Sequence, residues 1–186
     1  MKKIMCFLLV ITVFFISCKS AKNTITPEQM ALFDEMISKK EIDIEFIWAQ
    51  PSGLFNNVRG IENLLPNGST VGSISLIGND NYLKIIKDSI AMDIPYYGEQ
   101  QLSSSSSYGT SGIGLAYNGI PEKFSETFNK KRNRYVLKYT MKAKTEILDI
   151  ILYLYPNYST TLSVNSSHRS TINYNGNWKV LTVKKE

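Results

Sequence analysis

The sequence predicts a mainly β protein: an antiparallel β-sandwich or flattened β-barrel of about nine or ten short strands, with one N-terminal amphipathic helix. Three observations predict it. From Ile42 onward, apolar and polar residues alternate with a period of two. The alternating segments are short, rich in Ile, Val, Tyr and Thr, and separated by Gly, Asn, Ser and Pro. Ahead of them a single stretch repeats its apolar residues at helical spacing. The 186 residues, 43% hydrophobic and 20% charged, have the composition of a globular chain.

The first element is an address. Met1-Lys2-Lys3 is basic, and Ile4 to Ile16 is an apolar run interrupted only by Thr12. As a helix that run spans roughly 20 Å, too short for a hydrocarbon core of about 30 Å but suited to a secretory signal. It is followed by Phe15-Ile16-Ser17-Cys18, which resembles a bacterial lipobox, with Phe15 where Leu is commoner. The resemblance implies cleavage after Ser17, diacylglycerol on Cys18 and acylation of the new amine; several acyl chains anchor firmly where one does not. The expected organisation is therefore a lipoprotein signal peptide at 1–17, a lipidated tether at 18–25 and one β-rich domain at 26–186. Cys6 leaves with the signal and Cys18 carries lipid, which leaves the mature chain no thiol for disulfides, nucleophilic catalysis or zinc.

Lys19 to Ile25 is small and polar, as a tether should be. Thr26-Pro27-Glu28-Gln29 reads as a helix start, with Thr26 as N-cap and Gln29 closing a capping box. Leu32, Phe33, Met36 and Ile37 share one face, and Lys39 and Lys40 suit the negative end of the dipole. The helix is predicted over about Pro27 to Lys39, packed on its own domain.

The strands follow. Ile42, Ile44, Phe46 and Trp48 alternate with Asp43, Glu45 and Ile47; Leu83 and Ile85 flank Lys84; Tyr135 to Lys142 alternates throughout. Asp88-Ser89 is read as the turn between Tyr82–Lys87 and Ile90–Ile94, and Asn175-Gly176 as the hairpin turn between Thr171–Tyr174 and Asn177–Val183. Glu146 to Tyr155 is apolar on both faces, which calls for cover on both. Gln100 to Gly114, with five consecutive serines from Ser103 to Ser107, reads as a mobile loop or a glycine-rich edge.

Several stretches in fixed order resemble the domain of unknown function 4251 family of small bacterial envelope lipoproteins. They are Ile94-Pro95-Tyr96-Tyr97-Gly98, Tyr155-Pro156-Asn157, Leu162 to Ser166, Arg169-Ser170-Thr171-Ile172 and Asn175-Gly176, within a match from about Asp43 to Trp178. Tyr158 stands where the family's turn usually has Gly, and His168 where Asn is usual. The resemblance implies a cellular location and no activity, so it brings no catalytic residues.

No residue set completes a catalytic device. His168 is the single histidine, next to Ser166-Ser167 in a turn; a serine–histidine pair would also need an orienting carboxylate and an oxyanion hole. Asp43 and Glu45 lie two apart on one strand face and could form a glycosidase pair, though the solvent half of an alternating strand looks the same. Lys130-Lys131-Arg132-Asn133-Arg134 is the densest positive charge, a solvated hairpin tip or a patch for anionic head groups. Asp88-Ser89-Ile90 resembles an envelope O-glycosylation sequon, making Ser89 the candidate acceptor. Tyr139, Tyr153 and Tyr155 are candidate ligand-lining residues, each offering an apolar ring and a polar tip.

The formal charge of +5 falls to +3 once Lys2 and Lys3 are removed, too small an excess for a duplex-binding stripe, so nucleic acid is not an expected partner. The expectation is a non-enzymatic, lipid-anchored envelope protein without cofactor or metal. It would be held at the outer membrane on the periplasmic side, with the cell surface as the alternative, and would bind or support an envelope protein, glycan or lipid. A carrier of an apolar molecule and a carboxylate hydrolase are the alternatives.

Overall fold

The computed structural model describes residues 25–52, 65–98, 114–144 and 146–181. Helix α1 (Pro27–Ser38) starts as its sequence dictates: the Gln29 amide donates to Thr26 Oγ1 at 3.2 Å, and the Thr26 amide donates to Gln29 Oε1 at 3.1 Å. Two helix-start amides are thereby satisfied. The chain leaves through Lys40 in a left-handed conformation, with φ of 49°.

Among the described residues ten strands follow: β1 (Glu41–Pro51), β2 (Ile74–Ser75), β3 (Tyr82–Ile86), β4 (Ser89–Pro95), β5 (Gly114–Gly119), β6 (Lys123–Asn129), β7 (Arg134–Lys142), β8 (Ile147–Leu154), β9 (Ser159–Ser166) and β10 (Ile172–Val180). All pair antiparallel in one sheet of order β5-β4-β3-β1-β10-β9-β8-β7-β6, with β2 beside β1. This single sheet curls into a half-barrel, so the mainly antiparallel β expectation holds in its barrel form and not as two packed sheets. Among the described residues its edges are β5 and β6, consecutive in sequence and unpaired with each other.

Helix α1 packs into the concave side. Its Phe33 and Ile37 join inward residues from the strands, including Phe46, Met92, Leu137, Leu152, Tyr174 and Trp178, in one apolar core. Phe33 lies 5.2 Å from the Tyr135 ring and 5.6 Å from Trp178, so the helix is held by aromatic contacts at one end of the sheet.

Two turn expectations are corrected. Asn175-Gly176 is not a hairpin turn: both residues lie inside β10, where Gly176 is paired with Phe46 and Asn175 with Trp48. The register shift between Phe46 and Trp48 is a β-bulge, and a Cβ on Gly176 would run into the Glu45 carbonyl oxygen and lie 2.7 Å from Phe46 Cα. The glycine is needed for close backbone approach, a role a sequence cannot distinguish from a turn. The other turn sits one residue earlier than read: Ile86 pairs with Ser89, so Lys87-Asp88 forms the connection and Lys87 takes φ of 56°.

Beside the bulge, where β1 passes from β3 to β2, the buried Asn81 side chain completes the ladder. Its Oδ1 accepts from the Phe46 amide at 2.9 Å, and its Nδ2 donates to the Phe46 carbonyl at 3.0 Å. A side-chain amide thus substitutes for a strand peptide.

Among the described residues, the strand read as apolar on both faces has cover on one. Leu148, Ile150, Leu152 and Leu154 enter the core, while Ile147 is exposed and Ile151 and Tyr153 are half-buried on the convex side. Gly114, read as the end of a glycine-rich loop, begins the edge strand β5, and the rest of that stretch lies outside the described residues.

Candidate functional site

Three places on the half-barrel gather chemistry-bearing side chains. The first is a groove of about 530 Å³ between α1 and two turns on the same end of the sheet. Gln29, Leu32 and Met36 form its helical wall; Arg132 and Asn133 of the β6–β7 turn and Tyr155 to Tyr158 of the β8–β9 turn form the other, with Ile25 at the margin.

Local physics builds this groove. Trp178 is buried beneath it: its Nε1 donates to the Tyr155 carbonyl at 2.9 Å, and its backbone amide donates to the Tyr158 carbonyl at 2.8 Å. The Tyr158 ring lies 5.2 Å from Trp178. Tyr158 adopts φ of 63°, a left-handed conformation that costs a side-chain-bearing residue about 1–2 kcal/mol and that glycine adopts without penalty. The ring contact offsets that strain and leaves Tyr158 49% exposed, facing Leu32, which is 57% exposed across the groove. Two large apolar groups therefore meet water at a polar-rimmed groove.

The candidate tyrosines separate. Tyr153 and Tyr155 come together through Arg134, whose guanidinium stacks 3.9 Å from the Tyr153 ring while its Nη1 donates to Tyr155 Oη at 2.7 Å. Tyr155 lines the groove; Tyr153 lies behind it on the convex face. Tyr139 is elsewhere, buried against Phe124 with ring centroids 4.9 Å apart. Burial pushes the Tyr139 phenol well above its ordinary pKa, with the charge of Glu126 adding to the shift. Tyr135, half-buried and hydrogen-bonded to Asp34 Oδ1 at 2.9 Å, is pushed up to about 12, first by desolvation and then by that carboxylate.

Tyr139 borders the second place, an apolar pocket of about 100 Å³ at the seam near the two sheet edges. Ile37, Ile42, Ile90 and Phe124 line it, with Lys40 and Asp88 at its rim, 3.7 Å apart. Engineered apolar cavities of about 150 Å³ hold one benzene, so the seam admits a small apolar group at most. Ser89, the first residue of β4, stands at this rim.

The third place, at the opposite end of the sheet, was not visible in the sequence. Glu146 and Arg169 form a buried ion pair at 3.0 Å; Ser166 donates a short hydrogen bond to Glu146, and Arg169 Nη1 donates to the Gly114 carbonyl at 3.2 Å. The Arg169 guanidinium lies 5.1 Å from the Tyr96 ring, and Tyr96 Oη donates to the Ser170 carbonyl at 2.8 Å. Tyr174 Oη donates to the Pro95 carbonyl at 2.9 Å. The stretches Ile94 to Gly98 and Arg169 to Ile172, far apart in sequence, are thus joined in space by a polar cluster. Burial raises the pKa of both Tyr96 and Tyr174.

Asp43 and Glu45 share an open depression with Asp80, and Asp43 pairs with Lys179 at 3.4 Å. His168 bonds Ser167 Oγ through Nδ1 at 2.7 Å in the β9–β10 turn. Among the described residues no group of three or more His, Cys, Asp or Glu could hold a metal ion. Cys18 lies outside the described residues.

A family model described as Domain of unknown function (DUF4251) matches residues 26–178. Among solved structures the chain is similar to the crystal structure of a DUF4251 family protein from Bacteroides eggerthii, with a TM-score of 0.53 and 12% identity, over 82% of this chain and 88% of that one. At that identity the likeness is one of fold. No curated protein matches the chain.

Proposed function

We propose that this chain, which belongs to the DUF4251 family, is a lipid-anchored envelope protein whose folded body is a non-enzymatic binding module, with the groove beneath α1 as its binding surface. The observation that carries the reading is the pair of exposed apolar side chains, Leu32 and Tyr158, facing each other across a groove bordered by Ile25, the last residue of the tether. The lipobox-like Phe15-Ile16-Ser17-Cys18 supports the anchor. The component held is another constituent of the envelope, a protein, a glycan or lipid, and the site is the outer membrane on its periplasmic side.

The interior favours an exterior surface over an internal carrier site. Trp178, Tyr174, Phe33 and Phe46 fill the concave side, and the seam pocket is too small for a lipid chain. The carboxylate alternative has an open depression and a lysine beside Asp43 where a glycosidase needs two acids flanking a substrate.

The test is photocrosslinking in cells from Leu32 or Arg132, with Lys142 at the far end of β7 as the reference position. A defined adduct from the groove positions and none from Lys142 is expected. Adducts no stronger at the groove than at Lys142, or substrate turnover by the purified lipoprotein that is lost on Asp43→Asn or Glu45→Gln, would overturn the reading.

A further inference from the structure

The tether, the groove and the densest cation cluster all belong to one end of the half-barrel. Six residues, 19–24, separate the anchor site Cys18 from Ile25, and the seven Cα-to-Cα steps between the two reach at most about 25 Å when fully extended. A folded body of this size is roughly 40 Å across by the scaling of compact domains. The tether is therefore shorter than the body it holds, and only the end carrying Ile25 can meet the bilayer. The other end lies beyond reach, since β7 alone runs nine residues from Arg134 to Lys142, about 27 Å or more away from the groove.

At the reachable end, the β6–β7 turn presents Lys130, Lys131 and Arg132, all exposed, and Arg132 shares the groove with Leu32 and Tyr158. Among the described residues the acids nearby include Glu35, paired with Lys39 at 2.9 Å, Asp34, which accepts a hydrogen bond from Tyr135, and Glu28 at the helix start. Cations grouped around exposed apolar tips are the chemistry of an interfacial contact, the tips entering the headgroup layer and the cations meeting phosphate. A tyrosine at that depth has an apolar body and a polar tip for the two sides of the boundary.

We infer that the groove end is a membrane-docking face, which seats the anionic headgroups of the bilayer between Lys130, Lys131 and Arg132 and the Leu32–Tyr158 pair. The inference rests on the lipid anchor proposed above and names the lipid surface as the component the groove holds. Docking fixes the orientation of the body, so that the Glu146–Arg169 end points away from the membrane.

The test uses the mature lipoprotein purified from cells and reconstituted into phosphatidylethanolamine vesicles with or without phosphatidylglycerol. A nitroxide is placed at Leu32→Cys or, as reference, at Lys142→Cys, and its collision with oxygen and with a water-soluble nickel complex is measured. The expected result is a several-fold higher oxygen-to-nickel ratio at position 32 than at 142 in anionic vesicles, lost on K130E/K131E/R132E while the protein stays with the vesicles. Protein that withstands a high-salt wash yet shows position 32 as wet as 142 overturns the docking face and leaves the anchor standing. A contact indifferent to lipid charge or to the charge reversal overturns the role of the anionic headgroups. Protein that washes off in high salt overturns the anchor, and the docking face with it.

Discussion

Replacing Gly176 with alanine sets a methyl group against the backbone of β1. The added carbon meets the Glu45 carbonyl oxygen first and lies 2.7 Å from Phe46 Cα, where carbon atoms ordinarily stand about 3.5–4.0 Å apart. Since the obstacle is backbone, β1 and β10 must separate by about 1 Å, and the ladder bonds flanking Phe46 lengthen beyond useful range. Those bonds join the core pairs Ile44 with Trp178 and Ala49 with Tyr174. Overpacking of a rigid site together with the lost bonds gives a destabilisation of about 3 kcal/mol or more. In urea, with m between about 1 and 3 kcal/mol/M, the midpoint falls by about 1–3 M. Tryptophan fluorescence and far-ultraviolet dichroism read it. Gly176→Asn separates the two roles a glycine can have at this position: in a hairpin turn asparagine still reaches positive φ at a modest cost, whereas at a close approach it is as damaging as alanine. A Gly176→Asn protein with the parental midpoint would refute the bulge and restore the turn.

Asn81→Ala orphans the Phe46 amide and carbonyl in a buried place and is expected to cost about 2–4 kcal/mol by urea titration, whereas Asn81→Asp keeps the acceptor but not the donor and is also destabilising. Glu146→Gln or Arg169→Met, each breaking a buried pair, is expected to cost about 3–5 kcal/mol, with the double variant E146Q/R169M recovering a good part of the loss in a double-mutant cycle. Stability is expected to be intact below pH 10 and to fall above it. The unfolded chain ionises its tyrosines near 10, while the folded state holds Tyr139 and Tyr174 protonated to higher pH, so each contributes a loss of about 1.4 kcal/mol per pH unit until its folded pKa is reached. Alkaline urea titrations of Tyr139→Phe, showing a shallower decline than the parent, check it; an unchanged slope would contradict the burial of this phenol.

Much of the fold was legible because local rules and tertiary need agree. The capping box of Thr26 and Gln29, the alternation along β1 and β7 and the tip at Lys130 to Asn133 all act through neighbours a few residues apart. What failed had non-local causes. Asn175-Gly176 has the chemistry of a turn, but a bulge 130 residues upstream requires that glycine. The second apolar face of β8 signalled a covering layer, whereas the structure clothes Tyr153 with one guanidinium from the next strand. Tyr158 in a glycine's place was visible as an oddity, and only its left-handed φ and its contact with Trp178 give the reason.

The candidate site was legible in part. Tyr153 and Tyr155 share a parity and so a side; Tyr139, inward like Leu137 and Met141, is assigned to the other face only once the register pairs it with Ile150. Arg134 looked like one member of a solvated run, although its position opens a strand and faces both tyrosines. Glu146 and Arg169 stand 23 residues apart with no motif between them, and nothing local distinguishes them from surface charges. The groove itself is made by three segments distant in sequence, which no periodicity brings together.

The claim on which the functional account depends is chemical, and mass spectrometry of the N-terminal peptide from envelope-extracted protein tests it most directly. The account predicts a peptide beginning at Cys18, carrying a thioether-linked diacylglycerol and an acyl chain on its amine. A mature terminus at any other residue, or Cys18 recovered as a free thiol, would contradict it.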